Sequence, residues 1–419
     1  MKFVITGGKK LRGSIAVGGA KNAVLPILAA TLLTDEKCVI HNVPVIRDVD
    51  MMLDLLTSIG RTIVRDGDHT VTVSSERGVS LPHTLDPKLV KSFRASFLVL
   101  GPLLARNARI RITEPGGCSI GNRPVDDHFH GLKRMGVKVS RSNGVYTLSH
   151  HGLEAKTITL VAPSVTATEN LVMAAVLTKG TTIIKDAAAE PHVQDLCFFL
   201  ESMGATIDGI GTSTLIIRGV KKLHGTTHSV IPDPIGAMSY IMLGLATKSR
   251  ITITGIRPDH LDVPLETLLA AGARFDIDKD SITLRTSGLL AEMKVQTRPY
   301  PGIPTDIQAL FGVLATQAQG TSLIHETIFD GRFAYISELA RMGANAVVCD
   351  PHRAMITGPT PLYGQEIRSS DLRAGMAMIV AALIARGQTV IHDAHIIERG
   401  YETIVERLSA IGAHIRREN

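Results

Sequence analysis

The chain runs to 419 residues, a length that suits two domains of roughly 200 residues better than one core. Its 45 Lys and Arg exceed 39 Asp and Glu only modestly and without clustering, and aromatics make up 4% with no Trp, which argues against a nucleic-acid stacking platform and for a pocket that takes a small, highly charged anion. The opening lacks the apolar run of a signal peptide, no stretch approaches the roughly 18–20 apolar residues of a membrane span, and Cys38, Cys118, Cys197 and Cys349 form no CxxC pair, so the expectation is a cytoplasmic protein without disulfides, nucleic-acid partner or membrane contact.

In chain order, the first predicted element is a strand at Phe3-Val4-Ile5-Thr6-Gly7. An Ala/Leu-rich helix then ends near Leu32-Leu33, a polar turn follows, and Val39-Ile40 reads as a strand. A second apolar helix stops at Gly60, the expected left-handed residue after a helix, and alternating strands come after it. This order returns with helix-stop glycines at Gly136, Gly204, Gly272, Gly343 and Gly412, spaced 68 to 76 residues apart. The first helix and its strand recur with it, for example at Val176-Leu177 before Thr182–Ile184 and at Leu383-Ile384 before Thr389–Ile391. Two landmarks that keep one order six times imply an α/β protein of six βαβαββ units. The sixth unit stops short after Ile415, and Phe3–Gly7 resembles Ala354–Gly358 closely enough to supply its missing strand. The expected domains are residues 21–230 and 231–419, the second completed by residues 1–20. Chain crossings fall near Gly18-Gly19-Ala20 and at Val230-Ile231-Pro232-Asp233-Pro234, where two prolines stiffen the link. Paired crossings make a hinge, and hinged proteins usually bind ligand between domains.

Polar residues gather at the start of each unit's first helix: Lys21-Asn22, Arg94, Thr168-Glu169, Gly236, Asp306 and Asp371–Arg373. Free N–H groups and a partial positive charge suit such places to phosphate or carboxylate. Simple capping accounts equally well for Asn22, Thr168 and Asp306, but not for the cations Lys21, Arg94 and Arg373. Between the first helices of the second and third units lies Pro115-Gly116-Gly117-Cys118-Ser119-Ile120-Gly121-Asn122-Arg123-Pro124. Three glycines around Cys118 give a loop that can approach a substrate closely, and Arg123 beside the thiol favours thiolate or general-acid chemistry. The plain alternative, an inert thiol, is assigned to Cys38, Cys197 and Cys349. Further on, Arg298-Pro299-Tyr300-Pro301-Gly302-Ile303-Pro304-Thr305-Asp306 presents Asp306 rigidly, either as a proton acceptor or as an N-cap. Arg399, beside a later helix start, can clamp a carboxylate or phosphate. The sixteen histidines show no metal-ligand spacing, so neither a catalytic metal nor a cofactor is expected.

These segments together resemble the UDP-N-acetylglucosamine 1-carboxyvinyltransferase family of enolpyruvyl transferases along the whole chain. The resemblance rests on Gly19-Ala20-Lys21-Asn22-Ala23-Val24-Leu25-Pro26, on Pro115–Cys118 with Arg123-Pro124-Val125-Asp126, on Pro304-Thr305-Asp306, on Asp371-Leu372-Arg373-Ala374 and on Arg399-Gly400-Tyr401-Glu402. It implies a two-domain inside-out α/β barrel and transfer of the enolpyruvyl group of phosphoenolpyruvate to a sugar 3′-hydroxyl, opening bacterial peptidoglycan synthesis and so serving cell shape and division. By position, the resemblance gives Lys21, Arg123 and Arg399 to phosphoenolpyruvate, with Arg94 and Arg373 in support, and counts Asp371 among the substrate-binding residues. Cys118 would protonate the methylene carbon and be the residue alkylated by fosfomycin, while Asp306 would accept the hydroxyl proton. Asn22, Arg123, Pro124, Val125, Asp126, Asp127, Ser164, Val165, Thr166 and Ile328 fall where the family holds the UDP-sugar. The chain departs from the family at Asp127, usually Leu, and at Thr166, commonly Gly. A shikimate-type transferase and a non-catalytic UDP-sugar-binding regulator are the rival readings; the Cys118 loop speaks against the first, and intact Lys21, Cys118, Asp306 and Arg399 against the second.

Overall fold

The computed structural model describes residues 1–76, 80–117, 125–285 and 288–418, and its elements and contacts are those of these residues. They form two compact units, one containing residues 1–18 and 232–418, the other residues 19–117 and 125–231. Each unit has its own apolar core.

Every repeat builds one small open sheet. In the third, Thr157–Thr159 lies parallel to Thr181–Lys185, which pairs antiparallel with Thr214–Arg218, and Thr206–Asp208 closes the edge. The parallel pair is joined by the helix Val165–Ala175, so the leading βαβ needs a crossover helix and the trailing strands need only a turn. Sheets one, four, five and six repeat this order, while the second has three strands and an isolated parallel bridge at Thr84 in place of the fourth. Two sheets borrow their leading strand from afar. Thr227–Ser229 lies beside Cys38–His41 in the first, and Arg12–Ala16 beside Arg250–Thr254 in the fourth. Lys2–Thr6 is an inner strand of the sixth sheet, paired antiparallel on one side with Gln388–His392 and on the other with His414–Glu418.

The first helices of the fourth and sixth repeats are almost wholly apolar and buried on all sides. Pro234–Ala246 buries every residue after its first, and Leu372–Ile384 every residue before its last. With Gln308–Ala315 these two helices pack on one another inside their unit, and the sheets lie outside them. The second helices bury only a stripe: Ala334–Arg341 turns in Tyr335, Ile336 and Leu339. All six stop glycines have positive φ, from 88° at Gly136 to 100° at Gly204 and Gly343, the conformation that satisfies a helix C-terminus and that a β-carbon opposes.

Helix starts differ from the sequence expectation by up to three residues. The third central helix begins at Val165 rather than Thr168, and the fifth at Gln308, after a single 3₁₀ turn Thr305–Ile307 that carries Asp306. Capping falls to other residues than expected. Asn22, Thr168 and Asp306 cap nothing, whereas Asp233 and Asp371 accept backbone N–H groups at the starts of their helices.

Candidate functional site

In the unit of residues 19–231, Lys21 is the first residue of the helix Lys21–Ala30. A lone cation there opposes the helix dipole. The structure offsets it with Asp48, whose Oδ2 lies 2.7 Å from Lys21 Nζ and which is only 4% exposed. Asn22 follows, half-buried. Arg94 opens the 3₁₀ segment Arg94–Val99 at the equivalent place of the second repeat. The approach to the cysteine loop runs against this segment. A β-carbon on Gly116 would stand 1.9 Å from the carbonyl oxygen of Lys91, and Gly117 has φ +136° with Arg94 Cβ 3.1 Å away. Both glycines are therefore dictated by backbone contact as much as by mobility. Cys118, Arg123 and Pro124 lie outside the described residues.

Val125 precedes the helix Asp126–Arg134, and Asp126 and Asp127 occupy its first turn, where carboxylates complement the dipole. Burial raises the Asp127 carboxyl above its ordinary range, with the Asp126 charge adding to it and His130 opposing. Ser164, Val165 and Thr166 form the start of the Val165–Ala175 helix, whose first turn has neither a side-chain cap nor an acidic residue. Thr166 Oγ1 is 3.0 Å from Nε2 of the buried His128, whose Nδ1 is 2.9 Å from Asn170 Nδ2.

In the unit of residues 1–18 and 232–419, Asp306 is gripped on both oxygens. Arg332 Nη2 donates to Oδ1 at 2.8 Å and Arg373 Nε donates to Oδ2 at 3.1 Å. This settles the capping question: the carboxylate serves the arginines, not the helix. Arg332 reaches on to Asp371 Oδ1 at 3.6 Å, and Asp371 accepts from the backbone of Arg373 and Ala374. Arg373 also donates to the Tyr401 hydroxyl at 3.4 Å, and that hydroxyl meets Ser239 Oγ at 2.9 Å. Burial works against the Arg373 charge, but Asp306, Tyr401 and Asp233 outweigh it and hold the guanidinium protonated. Burial likewise raises the Asp233 carboxyl, which Arg373 partly offsets. Arg399 ends the 3₁₀ segment Ala394–Arg399, half-buried, and Ile328 is exposed on the loop after the strand Gly320–His325. That loop is fixed by fully buried Glu326, which accepts from the backbone of Ile328 and Phe329 and from the hydroxyls of Thr297 and Thr305. Thr305 adjoins Asp306, so Glu326 ties the Ile328 loop to the turn that carries Asp306.

Sequence reasoning did not reach Asp48, Glu326, Arg332, His128 or Asn170. Asp48 and Lys21 are brought together by packing of two helices, which no spacing encodes. Arg332 and Glu326 carried one readable signal, since charged residues flank the Ile328 loop directly after a strand. Among the described residues no group of three His, Cys, Asp or Glu is placed to hold a metal ion, and no helix is long and apolar enough to cross a membrane.

Set beside known proteins, residues 5–408 match the profile of the family described as EPSP synthase (3-phosphoshikimate 1-carboxyvinyltransferase). A UDP-N-acetylglucosamine 1-carboxyvinyltransferase of Acidobacterium capsulatum is 43% identical over 420 residues, covering 99% of this chain and 96% of that one. Its counterpart in Solibacter usitatus is 44% identical, covering 99% of each. Among solved structures, the enolpyruvyl transferase NikO from Streptomyces tendae has a TM-score of 0.90 at 26% identity, covering 99% of this chain and 98% of that one. EPSP synthase from Acinetobacter baumannii has a TM-score of 0.75 at 18% identity over 100% of both chains, a likeness of fold alone. The chain belongs to the enolpyruvyl transferases of the EPSP synthase family, in the branch of the UDP-N-acetylglucosamine 1-carboxyvinyltransferases.

Proposed function

We infer that the chain transfers the enolpyruvyl group of phosphoenolpyruvate to the 3′-hydroxyl of UDP-N-acetylglucosamine and releases phosphate. The observation that carries this reading is the identity of 43–44% along almost the entire chain with transferases of that name. In the reaction as we read it, Cys118 gives a proton to the methylene carbon of phosphoenolpyruvate and the sugar oxygen bonds to its C2. Asp306 takes the proton that the hydroxyl gives up. Loss of a proton from the new methyl group and departure of phosphate then restore the double bond. Lys21, Arg94, Arg123, Arg373 and Arg399 bind and orient phosphoenolpyruvate, the cations offsetting charges that would otherwise repel the diphosphate of the partner substrate, and Asp371 caps the helix that carries Arg373. Asn22, Arg123, Pro124, Val125, Asp126, Asp127, Ser164, Val165, Thr166 and Ile328 hold the UDP-sugar.

The arginine clamp supports the role given to Asp306. Each of its oxygens accepts a hydrogen bond from a guanidinium group, and since a carboxylate oxygen has two lone pairs the clamp aims the group without consuming both. A substrate hydroxyl gives up its proton to a carboxylate that the two arginines hold in place. Cytoplasmic location, a committed role in peptidoglycan synthesis, and alkylation of Cys118 by fosfomycin belong to the same proposal.

The test is phosphate release from phosphoenolpyruvate by the purified chain. Release is expected with UDP-N-acetylglucosamine and not with shikimate 3-phosphate. Release with the second acceptor alone, or with neither, overturns the reading.

A further inference from the structure

The side chains around the start of the Val165–Ala175 helix form a chain of hydrogen bonds whose direction is fixed at every step. Asn170 Oδ1 lies 2.6 Å from the backbone nitrogen of Gly101, which can only donate. Asn170 Nδ2 lies 3.0 Å from the carbonyl oxygen of Phe97, which can only accept. The amide orientation is thus set from both ends, and it is Nδ2 that faces His128 Nδ1 at 2.9 Å. His128 is 3% exposed, and burial together with the charge of Arg94 pushes its pKa down to about 3, so at neutral pH its ring carries a single proton. With Nδ1 accepting from Asn170, that proton sits on Nε2 and is donated to Thr166 Oγ1 at 3.0 Å.

The hydroxyl hydrogen of Thr166 is left pointing away from His128. Its neighbour Thr168 uses the common helical outlet, the carbonyl four residues back at Ser164, 2.8 Å away. Thr166 makes no such bond, and among the described residues no acceptor faces its hydrogen. The hydroxyl is half-buried beside the uncapped, acid-free first turn of an eleven-residue helix, where the dipole favours negative charge.

We propose that Thr166 donates its hydroxyl hydrogen to a diphosphate oxygen of the UDP-sugar, and that His128, oriented by Asn170, is the positioning residue that keeps Thr166 a donor. This rests on the reading above that Ser164–Thr166 hold the nucleotide. A phosphate oxygen is an acceptor with no hydrogen to offer, so a hydroxyl whose hydrogen is turned outward matches it. A hydroxyl free to rotate would match it only part of the time.

The test uses the full chain, with UDP alone titrated calorimetrically and KM measured for each substrate in the phosphate assay. Loss of one hydrogen bond to a charged group corresponds to roughly tenfold or more in affinity. Thr166→Val is expected to weaken UDP binding and raise KM for UDP-N-acetylglucosamine about that much. It should affect KM for phosphoenolpyruvate and kcat far less, while Thr166→Ser keeps wild-type values. His128→Phe should reproduce the Thr166→Val effect, and His128→Gln, whose amide can donate from the Nε2 position, should restore most of it. In the double variant the His128→Phe change should add nothing to Thr166→Val, because it acts only through that hydroxyl. Wild-type UDP affinity in Thr166→Val, or a further loss in the double variant, overturns the inference. If His128→Phe melts early, Thr166→Val against Thr166→Ser still decides it. A wild-type chain that releases no phosphate overturns the function itself, a result distinct from an active wild type with an indifferent Thr166.

Discussion

Glu169 is 1% exposed, and its Oε1 accepts no hydrogen bond among the described residues. Burial, aided by the charge of Glu190, raises its pKa well above the ordinary glutamate range. A carboxyl raised in the folded state contributes stability that is whole below the unfolded pKa near 4.5 and is lost as pH rises through the folded value. Glu169→Gln removes that loss. The variant should therefore melt at a higher temperature than wild type at pH 8 and converge with it near pH 4; equal melting at pH 8 would contradict the assignment. At this scale the sequence was readable where chemistry and local spacing coincide. Lys21 and Arg94 do stand at the first position of their segments. It was unreadable where a partner comes from another element. Whether Asp306 caps a helix could not be read from its spacing, and is decided only by Arg332 and Arg373 on its two oxygens.

Elements were legible in proportion to how sharply the backbone demands a residue type. The six stop glycines were found because a positive φ disfavours any β-carbon. Helix starts blurred by up to three residues because several lack a side-chain cap, leaving no chemical mark at the boundary. Close approach of helices left its own mark in glycines that the repeat pattern did not explain. A β-carbon on Gly101 would stand 2.2 Å from the backbone oxygen of Asn170, and one on Gly131 would stand 2.4 Å from Leu171 Cδ1. Gly101→Ala must push the Leu100–Arg106 helix off Val165–Ala175, since a backbone oxygen cannot swing aside. A loss of about 1–3 kcal/mol in urea unfolding is expected, the usual range for overpacking. Gly131→Ala meets only a leucine side chain and should cost less; the reverse ranking would refute this account of the contact.

At the scale of the whole molecule, the repeat count was visible in the sequence, and so was the strand that the sixth repeat lacks at its own end. The exchange of leading strands between the first and fourth repeats was not. Arg12–Ala16 and Thr227–Ser229 are short, and each is followed in the chain by the central helix of the repeat it does not pair with. The expected domain bounds put residues 1–20 with 231–419 and kept 227–229 with 21–230, but nothing in local order named the sheet that either strand joins. Deleting residues 1–18 removes an inner strand from the sixth sheet and the leading strand from the fourth. Limited proteolysis of such a truncation should degrade residues 232–419 well before 19–231. Equal resistance of the two would show that the N-terminal strands are dispensable to their sheets.

The inner place of Lys2–Thr6 also sets an order of events during synthesis. Lys2–Thr6 leaves the ribosome long before both of its neighbours, Gln388–His392 and His414–Glu418. At roughly 5–20 residues per second it waits on the order of 20–80 seconds before either exists. Residues 19–231 can meanwhile complete their three sheets from sequence already made, Thr227–Ser229 being the last strand they need. The emerging chain thus carries an unpaired apolar strand, Phe3-Val4-Ile5, ahead of a folded body until Gln388–His392 is made. That is the segment a nascent-chain chaperone would be expected to shield.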